Sequence, residues 1–374
     1  MTTPHAPFRY DIVGSFLRPD ALKKARLASS LHQITAQELT AAEDAAILDL
    51  IAKQKAAGLP VITDGEFRRS WWHLDFMWGL GGIEKANTAK GLQFHGERTK
   101  AETAVITGPI TGAGHPFVEH FKFVKAREAR GVVAKQTIPA PAQLLVQLRL
   151  PEYLAQNRQH YPSDDALLAD IGAAYQTVIR ELYDAGCRNL QLDDCTWGLY
   201  VDKSFWPMFD LDEEKVRTIA KEQIALNNLA LKGKPDDLTV TTHVCRGNFH
   251  STYASSGAYD PIAPYLFRDE AVSAFYLEYD DARSGGFEPL RYVAPDKAVV
   301  LGLITTKSPQ LEEKAAIIQR IREAAQFVPL DRLYLSPQCG FASTEEGNRL
   351  TEADQWAKLA LVRDIAREVW GEHP

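Results

Sequence analysis

The feature that most constrains this chain is an alternation. Short apolar runs, each ending in small or polar residues, are separated by longer segments with helical period. The runs are Ile12 to Ser15, Val61 to Glu66, Val105 to Gly108, Ala134 to Pro139, Asn189 to Asp194, Leu238 to Cys245, Ala274 to Glu278, Val299 to Ile304 and Leu333 to Cys339. This is the α/β pattern, in which each strand is followed by a helix that covers the sheet.

Helix signals fill the gaps. Thr40-Ala-Ala-Glu43 offers a capping box for a helix that stops near Gly58-Leu-Pro60. Ser163 caps a helix running to about Ala185-Gly186, and Asp212 or a residue near it starts one that ends near Gly233. Helices from about Gln310 to Phe327 and from Thr351 to Trp370 complete the set. The segment from about Gly79 to Arg130 breaks the rhythm and reads as a hairpin excursion, which accounts for one strand more than eight. No low-complexity linker, fixed-period repeat or shift in composition divides the chain, so one domain over 1–374 is expected. The natural closure is a (β/α)8 TIM barrel with an extra hairpin excursion, its active site at the strand C-termini. A doubly wound open sheet is the alternative, but no Gly-rich phosphate loop follows the first strand.

Composition narrows the partners. With 374 residues, 45% hydrophobic, the chain can bury a large core. A formal charge of -7 gives no basic field for nucleic acid, so small molecules are the expected partners. Met1 to Pro19 lack the apolar core of a secretory signal and no later run approaches a membrane span, so a soluble, cytoplasmic protein without a membrane partner is expected. Four cysteines are too few for a disulfide scaffold, and each is read as core, ligand or nucleophile. A homo-oligomer is left open.

The chemically capable residues sit at strand ends: Ser15, Glu66, Asp193, His243, Cys245, Glu278 and Cys339. In Thr242-His-Val-Cys245, strand alternation puts His243 and Cys245 on one face. Glu278 ends Phe275-Tyr-Leu-Glu278, and Cys339 lies in Ser336-Pro-Gln-Cys-Gly340. Imidazole, thiolate and carboxylate are all zinc ligands. From spacing alone His-x-Cys is a weak signal, and a core cysteine beside a satisfied histidine is the competing account.

Taken in order, Val13-Gly-Ser15, Asp64-Gly-Glu66, Leu192-Asp-Asp194, Thr242-His-Val-Cys245, Leu277-Glu278 and Pro337-Gln-Cys-Gly340 resemble the C-terminal catalytic barrel of cobalamin-independent methionine synthase. They resemble still more closely the short stand-alone bacterial proteins related to it, over Val13 to Gly371. The resemblance implies a zinc cofactor on His243, Cys245, Glu278 and Cys339, with homocysteine held as a zinc thiolate and methylated to methionine. It also implies that Ser15 meets the amino-acid carboxylate while Glu66 and Asp193 hold the ammonium. Physics favours that acidic pair, because two carboxylates facing one mouth repel unless a cation lies between them. Glu278, the hardest ligand of the set, is the one expected to yield to substrate sulfur.

The sequence departs from the long enzymes in three ways. It has no room for their second, N-terminal barrel. At Lys135 to Pro141 it lacks the Trp that stacks on the pterin, which leaves the methyl donor open among methyltetrahydrofolate, a methylcorrinoid and another small methyl compound. Lys307, in Thr305-Thr-Lys-Ser308, stands where they have a His, and with Asp193 it is read as a catalytic group. Arg18, Arg68 and Arg246 suggest a basic rim, and Trp71, Trp72, His73 and Trp197 an aromatic wall. Cys187 and Cys195 read as buried thiols. The competing functions are a transferase joining an epoxide to a sulfonated thiol, a metal-free barrel of the uroporphyrinogen decarboxylase kind, and a noncatalytic thiol or zinc sensor.

Overall fold

The computed structural model of the protein describes residues 5–371. Its strands are β1 (Val61–Ile62), β2 (Gly81–Asn87), β3 (Glu102–Thr111), β4 (Val133–Ala134), β5 (Gln136–Pro139), β6 (Asn189–Asp193), β7 (Thr239–Val244), β8 (Ala274–Glu278), β9 (Ala298–Ile304) and β10 (Leu333–Pro337). Strands β5 to β10 form one parallel sheet in chain order. Parallel pairing of β4 with β1 extends it, since only Lys135 separates β4 from β5. Beyond β10, Tyr10 bridges Leu335 in parallel and the Asp11 amide donates to the Leu335 carbonyl at 2.9 Å. The segment after Tyr10 therefore stands where the first barrel strand belongs. Its seam with β1 is carried by Thr63 Oγ1 donating to Gly14 O at 2.7 Å and by the Phe16 amide donating to Gly65 O at 3.1 Å. The fold is a (β/α)8 TIM barrel, and the antiparallel β2–β3 hairpin is the excursion that makes the surplus.

The helices follow their signals with two shifts. The first long helix spans Ala36–Ala56 and is capped by Thr35, not Thr40. Thr35 and Glu38 have the same box spacing one turn earlier, and both reciprocal hydrogen bonds form there. Thr40 then lies inside the helix, its hydroxyl donating to Ala36 O. The helix expected from Gln310 spans Lys314–Ala324, because the Lys358 ammonium takes Gln310 O and the Glu312 carboxylate and holds the preceding turn open. Asp212 caps Glu213–Leu231 and Thr351 caps Glu352–Trp370. Among the described residues no helix is long and apolar enough to cross a membrane.

A charge pair lies fully buried in the barrel interior. Lys135, which stands between β4 and β5, has no exposed side-chain surface and donates to Asp11 Oδ1 at 2.9 Å, to Ile12 O and to Gln191 Oε1 at 3.2 Å. Asp11 Oδ2 accepts from Tyr276 at 2.7 Å and from the Phe8 amide at 3.1 Å. The pair ties the first strand position to β6 and β8 across the axis. Removing one partner leaves a buried, uncompensated charge. Lys135→Met is expected to lower the unfolding free energy by about 3–5 kcal/mol, with the Asp11→Asn, Lys135→Met double variant recovering part of it. Urea denaturation measures both, and a single variant as stable as the parent would contradict the assignment.

Candidate active site

Parallel register sets the site. Asp193, the last residue of β6, is the Cα partner of His243 on β7, and the two strands end together at one mouth. A cavity of about 600 Å3 opens there, and its floor includes Ser15, Glu66, Asp193, His243, Cys245 and Cys339. The ligand atoms of His243, Cys245 and Cys339 all lie within 4.8 Å of one another, and all three residues are buried.

This triad fits a soft divalent cation on three observations. Both ring nitrogens of His243 are buried and lack a hydrogen-bond partner, which is costly for an imidazole unless a ligand takes one of them. The Gly247 amide donates to Cys245 Sγ at 3.4 Å, an interaction that favours the thiolate. The thiols also crowd one another. Cys195 beside Cys245, together with burial, holds the Cys245 thiol well above its ordinary range, and Cys245 with burial does the same to Cys339. Such a set ionises together only around a cation, and its sulfur and nitrogen donors suit zinc.

Glu278 is at the expected strand end but outside this triad. Its Oε1 accepts from Arg283 at 2.6 Å and Lys307 at 3.3 Å, and its Oε2 accepts from the Arg246 amide at 2.7 Å. Although burial acts to raise it, Lys307, Arg283 and Arg246 hold this carboxyl below the ordinary range. Lys307 also binds Asp280 at 2.7 Å and is not part of the cavity lining. Burial acts to lower its pKa, but the two carboxylates outweigh that effect and raise it, so Lys307 is a fixed cation behind the wall.

The basic rim does not form. Arg18 is buried, with nitrogens on the carbonyls of Phe16, Ala342, Glu66 and Arg69. Burial brings its pKa down to about 10. Arg246 is likewise held on the carbonyls of Gly257, Glu278 and Ser284, and Arg68 pairs with Glu43 and Asp44. Backbone carbonyls at loop ends are hungry for donors, and sequence spacing does not reveal which arginine reaches them.

The acidic pair does form. Glu66 has φ 62°, a left-handed conformation that is uncommon outside glycine and that turns its side chain into the mouth. Its Oε1 meets Thr137 at 3.0 Å and Arg69 at 3.3 Å, while Oε2 is buried without a partner. Asp193 accepts from Gln191 at 2.7 Å. Burial and then the neighbouring Glu66 push the Asp193 carboxyl well above its ordinary value, and burial also raises Glu66. Ser15 Oγ accepts from the Ala342 amide at 3.2 Å. Gly340 makes room for it, because a Cβ there would lie 1.9 Å from Ser15 Oγ.

Trp71, Trp72 and His73 line the cavity, whereas Trp197 is fully buried and donates to Asp194 Oδ2 at 2.9 Å. Leu92, Gln93 and Phe94 also line it, so the hairpin excursion supplies a wall that no periodic signal announced. The other unforeseen residue is Cys195, half-buried, with its Sγ 2.9 Å from Cys245 Sγ. Its position directly after the Asp193-Asp194 strand end was the available signal.

The fold and this cluster define a TIM barrel with a His-Cys-Cys group at its strand ends that could hold a metal ion. Residues 9–368 match the family described as cobalamin-independent synthase, catalytic domain. The chain belongs to the cobalamin-independent methionine synthase family, whose members are methyltransferases. It is 45% identical to the uncharacterized Bacillus subtilis (strain 168) proteins YxjG, over 97% of this chain and 95% of the relative, and YxjH, over 98% and 95%. The 5-methyltetrahydropteroyltriglutamate–homocysteine methyltransferase of Mycolicibacterium paratuberculosis is 23% identical over 89% of this chain, which spans only 40% of that enzyme. Among solved structures, a Listeria monocytogenes protein provisionally described as a vitamin-B12-independent methionine synthase aligns with TM-score 0.78 and 40% identity, over 99% of this chain and all of its own. A B12-independent methionine synthase from Shewanella, solved with selenomethionine, shares the fold at TM-score 0.73 and 19% identity, over 97% of this chain and 98% of its own.

The raised Asp193 pKa carries a sign. A carboxyl whose folded pKa lies above its unfolded value stabilises the fold below the unfolded value, and that stability is lost as pH rises through the folded one. Asp193→Asn removes this penalty. The variant is expected to melt higher than the parent by on the order of 2 °C at alkaline pH, with the difference shrinking toward about pH 4. Thermal melts across that range check it, and a gap independent of pH would contradict the electrostatic origin.

Proposed function

We propose that the chain works as one cytoplasmic catalytic barrel over 1–374, a zinc-dependent S-methyltransferase that takes homocysteine to methionine. The observation that carries this reading is the shared cavity floor: a His243, Cys245, Cys339 triad beside a Glu66, Asp193 carboxylate pair and Ser15. A ligand satisfying both halves carries a thiol at one end and an ammonium a few bonds away, which describes a thiol amino acid. Homocysteine fits that description and the family.

His243, Cys245 and Cys339 would hold the zinc. When bound, zinc supplies the charge that keeps a substrate sulfur as thiolate near neutral pH. The protein's own groups do the rest. Glu66 and Asp193 take the ammonium, and their ionised forms, unfavourable in the empty pocket, become favourable once it is paired. Ser15 stands ready for the carboxylate. The aromatic side chains above the floor keep water from the nucleophile and leave one open direction for the methyl donor, whether methyltetrahydrofolate, a methylcorrinoid or another small methyl compound.

Transfer to a sulfonated thiol is disfavoured by the same geometry, since Arg18 and Arg246 spend their donors on backbone carbonyls and the floor beside the triad is acidic. The test is a zinc assay joined to a donor screen in which homocysteine and a sulfonated thiol compete, with mass spectrometry reading which product appears. Methionine is the expected product. Cys339→Ser is expected to lose bound zinc and turnover together, and Glu66→Gln to weaken homocysteine binding about 10- to 100-fold, the worth of a charge-assisted hydrogen bond. Full activity in Cys339→Ser would remove the basis of the proposal.

A further inference from the structure

We infer that His73 and Gln143 select the second substrate: His73 Nδ1 and Gln143 Oε1 accept the two N–H hydrogens of an uncharged, amide-type group, and the outer chamber refuses an anionic one. The inference rests on the proposed function only in naming that second substrate the methyl donor.

His73 lines the cavity and is 3% exposed. Its ring is clamped, 4.6 Å from the Trp72 ring and edge-on to Trp71 at 5.6 Å, and Trp71 is itself held by Nε1 donating to Glu102 Oε2 at 2.6 Å. Gln147 also hydrogen-bonds the His73 ring. The Gln147 amide nitrogen donates to Thr103 Oγ1 at 2.7 Å, so its carbonyl oxygen is the group that faces the imidazole and the imidazole is the donor there. Nδ1 is buried without a partner, which places the ring proton on Nε2 and a lone pair on Nδ1. Burial takes the His73 pKa down to about 3, so Nδ1 stays an acceptor at neutral pH.

Gln143 lies one turn before Gln147 on the helix Pro141–Leu148, and residues four apart share a helix face. Its Oε1 is a second buried acceptor without a partner. Two acceptors on one wall favour a group with two hydrogens to give. A primary amide has two, a hydroxyl has one, and a carboxylate or sulfonate has none and would set negative oxygens against the lone pairs. An ammonium gains more at the acidic floor. The cationic walls do not reverse this choice. Among the described residues the arginines lining the cavity are Arg149, paired with Glu222 and Asp164, and Arg246, whose guanidinium is held on the carbonyls of Gly257, Glu278 and Ser284. A few fixed neutral groups in an apolar wall orient a ligand by its hydrogen-bond pattern.

The test uses the zinc-loaded full chain with three probes of one size: benzamide, methyl benzoate and benzoate. Titration calorimetry is expected to find benzamide bound about 10-fold more tightly than either of the others, the worth of a hydrogen bond to a buried acceptor. That preference is expected to vanish in His73→Phe and to shrink in Gln143→Leu, with homocysteine affinity unchanged in both and melting curves confirming that they are folded. In histidine-labelled parent protein, the nitrogen-15 resonance missing from His73→Phe is expected to report an unprotonated Nδ1 and to move when benzamide is added. No binding of benzamide, equal binding of benzoate or methyl benzoate, or an undiminished preference in His73→Phe would overturn the assignment. If His73→Phe does not fold, Gln143→Leu and the probe preference of the parent decide it. A parent that keeps the benzamide preference but binds no homocysteine would overturn the proposed function and leave this recognition standing.

Discussion

The side chains on the cavity floor are brought to one mouth by a shared constraint, the register of adjacent parallel strands. Pro139 pairs with Asp193, Asp193 with His243, Val244 with Leu277 and Glu278 with Gly302, so the strands finish in step around one mouth. A slip of one residue would send His243 and Cys245 to the opposite face, among the helices. The register is protected by packing. Gly302 has no room for a side chain, since a Cβ there would lie 2.7 Å from the Cα of Gln338 and from Leu277 O. A residue with a side chain at that position would push β10 outward, and Cys339 with it.

Around the mouth, cations serve as staples. Arg18 draws together the loops after the first strand position, β1 and β10 by holding carbonyls of Phe16, Glu66 and Ala342, and Arg246 does the same for the loops after β7 and β8. Lys307 and Arg283 fix the end of β8 through Glu278 and Asp280. The consequence is electrostatic. Positive charge is consumed in the walls, while Glu66, Asp193 and the thiols face the floor, so the pocket favours an ammonium and a metal cation.

The sequence made the barrel legible because its signals are local. Strand alternation, helix caps and the Gly79 to Arg130 break in rhythm each depend on a few neighbouring residues, and the β2–β3 hairpin lies in that break. Placement of Glu66, Asp193, His243 and Cys339 at one mouth was legible for the same reason, once strand ends were taken as convergent. What was hidden depends on partners distant in sequence. Arg18 resembles any surface arginine until Ala342 and Glu66 come beside it, and Lys307 resembles a general acid until Glu278 and Asp280 claim its charge. Cys195 reads in the sequence as a buried thiol, and its contact with Cys245 is hidden there because the two lie 50 residues apart. Thr40 and Thr35 carry equal capping spacing, and only the helix's freedom to start earlier separates them.

The two ends of the cavity obey different physics, and that division bears on how two substrates share it. The floor is ionic and small, whereas the outer chamber is mainly apolar, with Phe94, Val146, Leu199, Phe205 and Phe249 among its walls. Arg149, a basic residue of that outer wall, is bidentate to Glu222 at 2.6 and 3.0 Å and so is already committed. His73 is kept neutral, since burial takes its pKa down to about 3, and its Nδ1 is buried without a partner, as is Gln143 Oε1. A chamber of this kind discriminates by shape and by neutral hydrogen bonds, because an uncharged polar group left unpaired still costs about 1–3 kcal/mol. Under the proposed function the thiol would be selected by charge at the floor and the methyl donor by fit above it, so substitutions in one half should change one substrate's recognition without changing the other's.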